Sequence, residues 1–217
     1  MSGRLKVAVL ISGHGSNMQA LVRACADPGY PAEIVLVLSN RADAAGLDFA
    51  RRVGLRTAVV PHRDFPDRAS FDAAMDAEIR RHGAELVCLA GFMRLLDPVF
   101  VEAWRDRMLN VHPALLPAFK GRDTHERALA SGVKIAGCMV HFVRHDMDTG
   151  PIIAQAAVPV LPDDTADTLA ARILEQEHII YPMALRLVAE GRVTVEGDRA
   201  IVAAAGATAV LRNPDAA

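Results

Sequence analysis

A glycine-bearing turn, Ser12-Gly-His-Gly-Ser16, follows the unbroken apolar run at residues 7–11 and precedes a segment of helical spacing. A run apolar at every position reads as a strand buried on both faces, and such strands occur in parallel sheets flanked by helices. The pattern then repeats. Strands are expected at 34–38, 57–60, 86–90 and 108–111. Helices are expected at 17–26, 44–53 (stopped at Gly54), 70–81 (stopped at Gly83) and from the Asp97-Pro98 cap to Trp104. In the third helix Phe71, Met75, Glu78 and Ile79 fall near one face. This alternation predicts an α/β fold: a doubly wound, mostly parallel sheet with helices on both faces.

The character changes after His112. Residues 113–122 hold two prolines and a glycine and are not regular. Asp123-Thr-His-Glu126 reads as a capping box opening a helix that ends near Gly132. Strand-like runs at 134–143 and 152–160 flank the polar loop 144–150. A long helix capped by Asp163 or Asp164 runs to about residue 189, and a hairpin at 193–196 and 200–202 completes an antiparallel C-terminal extension. An alanine-rich tail is expected to fray from about residue 211. No repeat or linker interrupts the chain, so residues 1–217 read as one domain.

Composition narrows the function. Of the 217 residues 52% are hydrophobic and 23% charged, with net charge −2, which suits a globular chain and argues against one built to neutralise nucleic acid phosphates. No apolar run is long enough to span a membrane, and the N-terminus lacks signal-peptide chemistry, so no membrane partner and a cytoplasmic location are expected. Cys25, Cys88 and Cys138 are odd in number and form no CxxC. A disulfide framework or zinc site is not expected; Cys138 and His141, three apart on a strand, face opposite sides. The histidines show no HExxH pattern, and nothing else in the sequence argues for a metal.

Four features carry chemistry. In a doubly wound sheet the turn at 12–17 lies at the carboxyl end of a central strand, where free N–H groups favour a phosphate. Met18 stands where a dinucleotide fingerprint has its third glycine, and the second strand ends in Ser39-Asn40 without the ribose-binding acid. The turn therefore reads either as a monophosphate site at Gly15, Ser16 and Asn17 or as a tight turn without ligand. Asn110 and His112 are two apart on a strand and point the same way. An amide stabilises charge on a carbonyl oxygen and an imidazole moves a proton near neutral pH, although both also serve structurally at strand ends. In Asp146-Met-Asp148-Thr-Gly150, Asp148 is the better candidate for a fixed carboxylate, and beside His112 it would favour the imidazolium. Glu177 falls on the apolar stripe of Leu169 and Ile173, where a carboxylate needs a partner, either water or a polar substrate group.

Together these segments resemble the phosphoribosylglycinamide formyltransferase family. The resemblance rests on residues 11–17, Ser39-Asn-Arg-Ala-Asp43, Leu89-Ala-Gly-Phe-Met-Arg-Leu95, Asn110-Val-His-Pro-Ala-Leu-Leu-Pro117, Thr124-His125, Val140-His-Phe-Val143, Asp148-Thr-Gly-Pro151, Gln176-Glu-His178 and Tyr181-Pro182, in family order. It implies a Rossmann-like sheet and two small-molecule ligands. Glycinamide ribonucleotide would place its phosphate on Gly15, Ser16 and Asn17 and its amine side near Glu177. The co-substrate 10-formyltetrahydrofolate would lie along Met93, Arg94, Leu95 and Leu96 and the loop from Val143 to Asp148, with Arg68 a further contact. Asn110, His112 and Asp148 match the family's catalytic trio for direct formyl transfer, which needs no metal. His14 and Lys120 depart from the common pattern. A monomer or a homodimer is compatible with this reading.

The alternative is formyltetrahydrofolate deformylase, a hydrolase with the same trio. Its pattern usually has a second histidine where this chain has Pro113, and an extra N-terminal regulatory domain, whereas here the first strand is expected to begin by about residue 5. A methionyl-tRNA formyltransferase would need a further C-terminal domain. A non-catalytic nucleotide-binding module is disfavoured by the presence of the whole trio.

Overall fold

The computed structural model describes residues 3–203. The tail expected to fray from about residue 211 lies outside them.

Seven strands form one sheet in the order β3-β2-β1-β4-β5-β6-β7. The first five, β1 (Leu5–Ile11), β2 (Ala32–Ser39), β3 (Thr57–Val59), β4 (Leu86–Leu89) and β5 (Met108–His112), run parallel. β6 (Ile135–Phe142) and β7 (Ile152–Pro159) are antiparallel additions at the β5 edge. A separate two-stranded sheet, β8 (Val193–Glu196) and β9 (Arg199–Val202), forms the expected hairpin. Among the described residues no helix is long and apolar enough to cross a membrane.

Each face of the sheet has its own core. Val7, Val9 and Ile11 pack under α1 (Ser16–Cys25), α2 (Ala45–Arg52), α5 (Thr124–Ser131) and α6 (Ala166–Ala189). Ala8 and Leu10 pack under α3 (Arg68–Arg81) and α4 (Pro98–Ala103). Successive residues of β1 thus feed opposite cores, as a continuous apolar run requires. The long α6 is pinned across the first face by Tyr181, whose buried hydroxyl lies 3.0 Å from the Leu89 carbonyl oxygen and 3.2 Å from that of Leu109. It thereby reaches the ends of β4 and β5.

Two local expectations need correction. Asp123 makes no side-chain cap: its φ of 54° is left-handed, and an N-cap side chain works from extended backbone. A capping box forms instead at α6, between Thr165 and Thr168, so neither Asp163 nor Asp164 is the cap. Asp164 is taken by Arg172, whose guanidinium holds its carboxyl well below the usual range. On α3 Phe71, Met75 and Ile79 are buried as one face, together with Asp72, and the half-buried Glu78 is bonded to Arg81.

Candidate active site

The strand ends meet in a cleft of about 890 Å³, lined by the turn after β1 and the segments after β2, β3 and β4. Gly15 closes the turn with φ 69° and caps α1, leaving the first N–H groups of that helix without intrahelical acceptors. Gly46, at the start of α2, donates its N–H to the Gly13 carbonyl at 3.0 Å. A Cβ on Gly46 would stand 2.7 Å from the end of the Ile11 side chain and 3.2 Å from the Gly13 and His14 carbonyl oxygens, so glycine eases the close approach of α2 to the turn.

Asn17 on the first turn of α1 donates to Glu177 of α6 at 2.6 Å, both side chains being buried. Burial pushes the Glu177 carboxyl up and the Asn17 amide partly offsets this. The other oxygen of the pair, Asn17 Oδ1, is buried without a partner. Asn17 lines the cleft and brings to its wall hydrogen-bonding capacity left over from the pair.

Asn110 and His112 project from the end of β5, two apart as expected. His112 is 5% exposed, and the carboxylate of Asp148 stands 3.5 Å from its Nδ1. Asp148 adopts φ 53°, and its Oδ2 accepts the Gly121 N–H at 2.8 Å. The opposite ring nitrogen, Nε2, lies 3.1 Å from the Phe119 carbonyl oxygen. Both ring nitrogens thus face oxygen acceptors.

His141 was not singled out for this site from the sequence. It faces Asn110 across the β5–β6 pair. Its Nδ1 lies 2.9 Å from the Phe142 carbonyl oxygen and carries the proton, leaving Nε2 to accept from Asn110 Nδ2 at 3.3 Å. Burial pushes His141 down to about 4, so the ring is neutral at pH 7 and keeps this acceptor. The bond turns the Asn110 amide so that its second N–H is free. Only the β5–β6 register reveals this partner.

Of the remaining predicted contacts, two lie on the β4 side of the cleft. Met93 and Arg94 line the cleft, and Met93 and Leu95 are 75% and 57% exposed. Leu96 and Val143 pack against the second core from its edge. Arg68 is exposed at the first turn of α3. A buried chain also escaped the sequence reading. Ser12 donates to Asn40 at 2.6 Å and accepts the Met93 N–H at 2.9 Å, and Asn40 lies 3.2 Å from His62. Asn110, His112 and Asp148 come together with one another but do not line the 890 Å³ cleft itself. Among the described residues no three His, Cys, Asp or Glu side chains stand together as a metal-holding group.

A family model for formyl transferases matches residues 5–185. Phosphoribosylglycinamide formyltransferase of Escherichia coli (strain K12) is 42% identical over 90% of this chain and 92% of its own length. Trifunctional purine biosynthetic protein adenosine-3 of Bos taurus is 50% identical over 88% of this chain, which spans only 19% of that protein. Glycinamide ribonucleotide transformylase 1 from Symbiobacterium toebii superposes with a TM-score of 0.91 and 48% identity, over 93% of this chain and 95% of its own. A formyltetrahydrofolate deformylase from Pseudomonas syringae pv. tomato has a TM-score of 0.86 at 25% identity, over 93% of this chain and 66% of its own.

Proposed function

The chain belongs to the formyl transferase family, and we propose that it moves the formyl group of 10-formyltetrahydrofolate onto the primary amine of glycinamide ribonucleotide. The observation that carries this reading is the meeting of Asn110, His112 and Asp148 at the end of β5. The high identity to named ribonucleotide formyltransferases supports the choice of acceptor over the more distant hydrolase.

The ribonucleotide phosphate sits on the N–H groups at Gly15, Ser16 and Asn17, a helix N-terminus that needs no side-chain cation. Glu177, fixed by Asn17, contacts the same ligand. The folate lies along Met93, Arg94, Leu95, Leu96 and Val143, with Arg68 beside it. The amine nitrogen attacks the formyl carbon, and the carbonyl π electrons move to oxygen. The free N–H of Asn110 and the Nε2–H of His112 stabilise that oxyanion, which replaces the Phe119 carbonyl as the histidine's acceptor. Asp148, facing Nδ1 of His112, orients the ring and a water that carries the amine proton towards N10. The C–N10 bond then breaks, releasing tetrahydrofolate and formylated ribonucleotide. One oxyanion donor contributes on the order of 10²–10³ in rate.

The test is loss of formyl from 10-formyltetrahydrofolate with and without glycinamide ribonucleotide. Turnover that requires the ribonucleotide and yields its formylated form is expected. Equal loss without it, releasing formate, would make the enzyme a hydrolase.

A further inference from the structure

One acid of α3 is turned inwards without an obvious need. Asp72 is 1% exposed among Phe71, Met75 and Ile79. Its Oδ2 accepts the backbone N–H of Asp97 at 2.5 Å, and its Oδ1 is buried with no partner. Burying a carboxylate behind a single hydrogen bond is unfavourable, and burial pushes this one up to about 6. An apolar side chain there would pack without that penalty, so the acid is explained by what it holds.

What it holds is the far end of the 91–97 segment. Asp97 caps α4 and closes the stretch that carries Met93, Arg94, Leu95 and Leu96. Arg68 lies one turn before Asp72 on α3, and the positive charges of Arg68 and Arg94 both favour the ionised carboxylate. One turn later Asp76 accepts from Trp104 Nε1 at 2.8 Å, tying α3 to the other end of α4. At its near end the segment is held by Ser12, through the Met93 N–H. With both ends anchored, its course between the two ligand halves is set by Asp72 and Ser12.

We propose that Asp72 is a positioning residue for the folate half of the site: by accepting the Asp97 N–H it sets the course of residues 91–97, so that Arg94 on that segment and Arg68 one turn before Asp72 both meet the anionic end of the cosubstrate. This rests on the formyl-transfer reading, since it assumes that the folate lies along that segment. Asp72 touches neither ligand, and its loss should weaken folate binding without altering the chemistry or the ribonucleotide.

The experiment is steady-state kinetics of Asp72→Ala and Asp72→Asn against both substrates. Asp72→Ala should raise the folate KM about tenfold, the scale of one lost charge-assisted hydrogen bond, with the ribonucleotide KM and kcat within about threefold. Asp72→Asn keeps an acceptor for the Asp97 N–H and should restore the folate KM to within about threefold of wild type. If Asp72→Ala fails to fold, the bond is cut from its other end. Asp97 has φ −69°, which proline adopts, so Asp97→Pro removes the N–H, and Asp97→Ala is the control that keeps it. Only the proline variant should raise the folate KM.

An unchanged folate KM in Asp72→Ala, both KM values rising together, or no rescue by asparagine would overturn the role. In the second pair, equal folate KM values would do the same. A wild-type enzyme that makes no formylated ribonucleotide sinks the reading and this role with it. Wild-type turnover without the split between KM values sinks this role alone.

Discussion

At the scale of single residues, the proposed chemistry depends on which hydrogen each polar atom presents. Asn110 offers a free N–H because neutral His141 takes the other, and His112 is held between Asp148 and the Phe119 carbonyl. His112→Ala should lower kcat by about 10²–10⁴, the usual worth of a positioned acid–base group, while folate binding stays within about threefold. Asp148→Asn is the finer test. Asparagine tolerates the left-handed backbone at φ 53° and still accepts the Gly121 N–H, so only the charge is lost. Its kcat should fall at least about tenfold, as removal of an electrostatic contribution does. Steady-state rates with equilibrium folate binding check both, and an unchanged kcat removes that residue from the chemistry. The pairing of Asn110 with His112 was legible because strand alternation fixes it locally. His141, Gly121 and the Phe119 carbonyl were not, because each reaches the site through a register or loop course that no local pattern encodes.

At the scale of elements, two irregular segments converge on His112, one through the Phe119 carbonyl and the other through Asp148. The 144–150 loop leaves β6 and re-enters at β7 through Gly150, where a Cβ would lie 1.7 Å from the Phe142 carbonyl oxygen. Gly150→Ala must therefore push the loop off the end of β6 and carry Asp148 with it. Overpacking of this kind costs about 1–3 kcal/mol, or roughly 3–10 °C in Tm for a chain of this size. The expected result is that melting shift together with a fall in kcat that persists at temperatures where the variant is folded. A folded Gly150→Ala with wild-type kcat would show that the loop's course does not matter to turnover. Strand and helix existence was readable here because periodicity is a strong local signal. Caps were readable only where one candidate stood alone, as at Asp97-Pro98. At 163–165 three capping residues are adjacent, and Arg172, in the second turn of α6, decides among them by claiming Asp164.

At the scale of the whole molecule, the sheet separates the two proposed ligand sites into two cores. The phosphate turn and Glu177 are carried by α1 and α6 on one face, and Arg68 and the 91–97 segment by α3 and α4 on the other. The trio stands where β5 ends. Alternating βα units made this doubly wound plan legible in the sequence, but not which helices share a face with which ligand. Separate cores predict that the ligands stabilise separately. A ligand at 100 times its Kd adds about 2.7 kcal/mol, enough to raise Tm by roughly 5–10 °C here. Glu177→Gln retains an acceptor for Asn17 and so keeps α1 tied to α6. Melting with glycinamide ribonucleotide should then lose most of its upward shift, while melting with a 10-formyl folate analogue keeps it within about 2 °C. If both shifts shrink together, Glu177 serves the packing of α6 over the sheet, and the ribonucleotide must find its contacts elsewhere on the cleft.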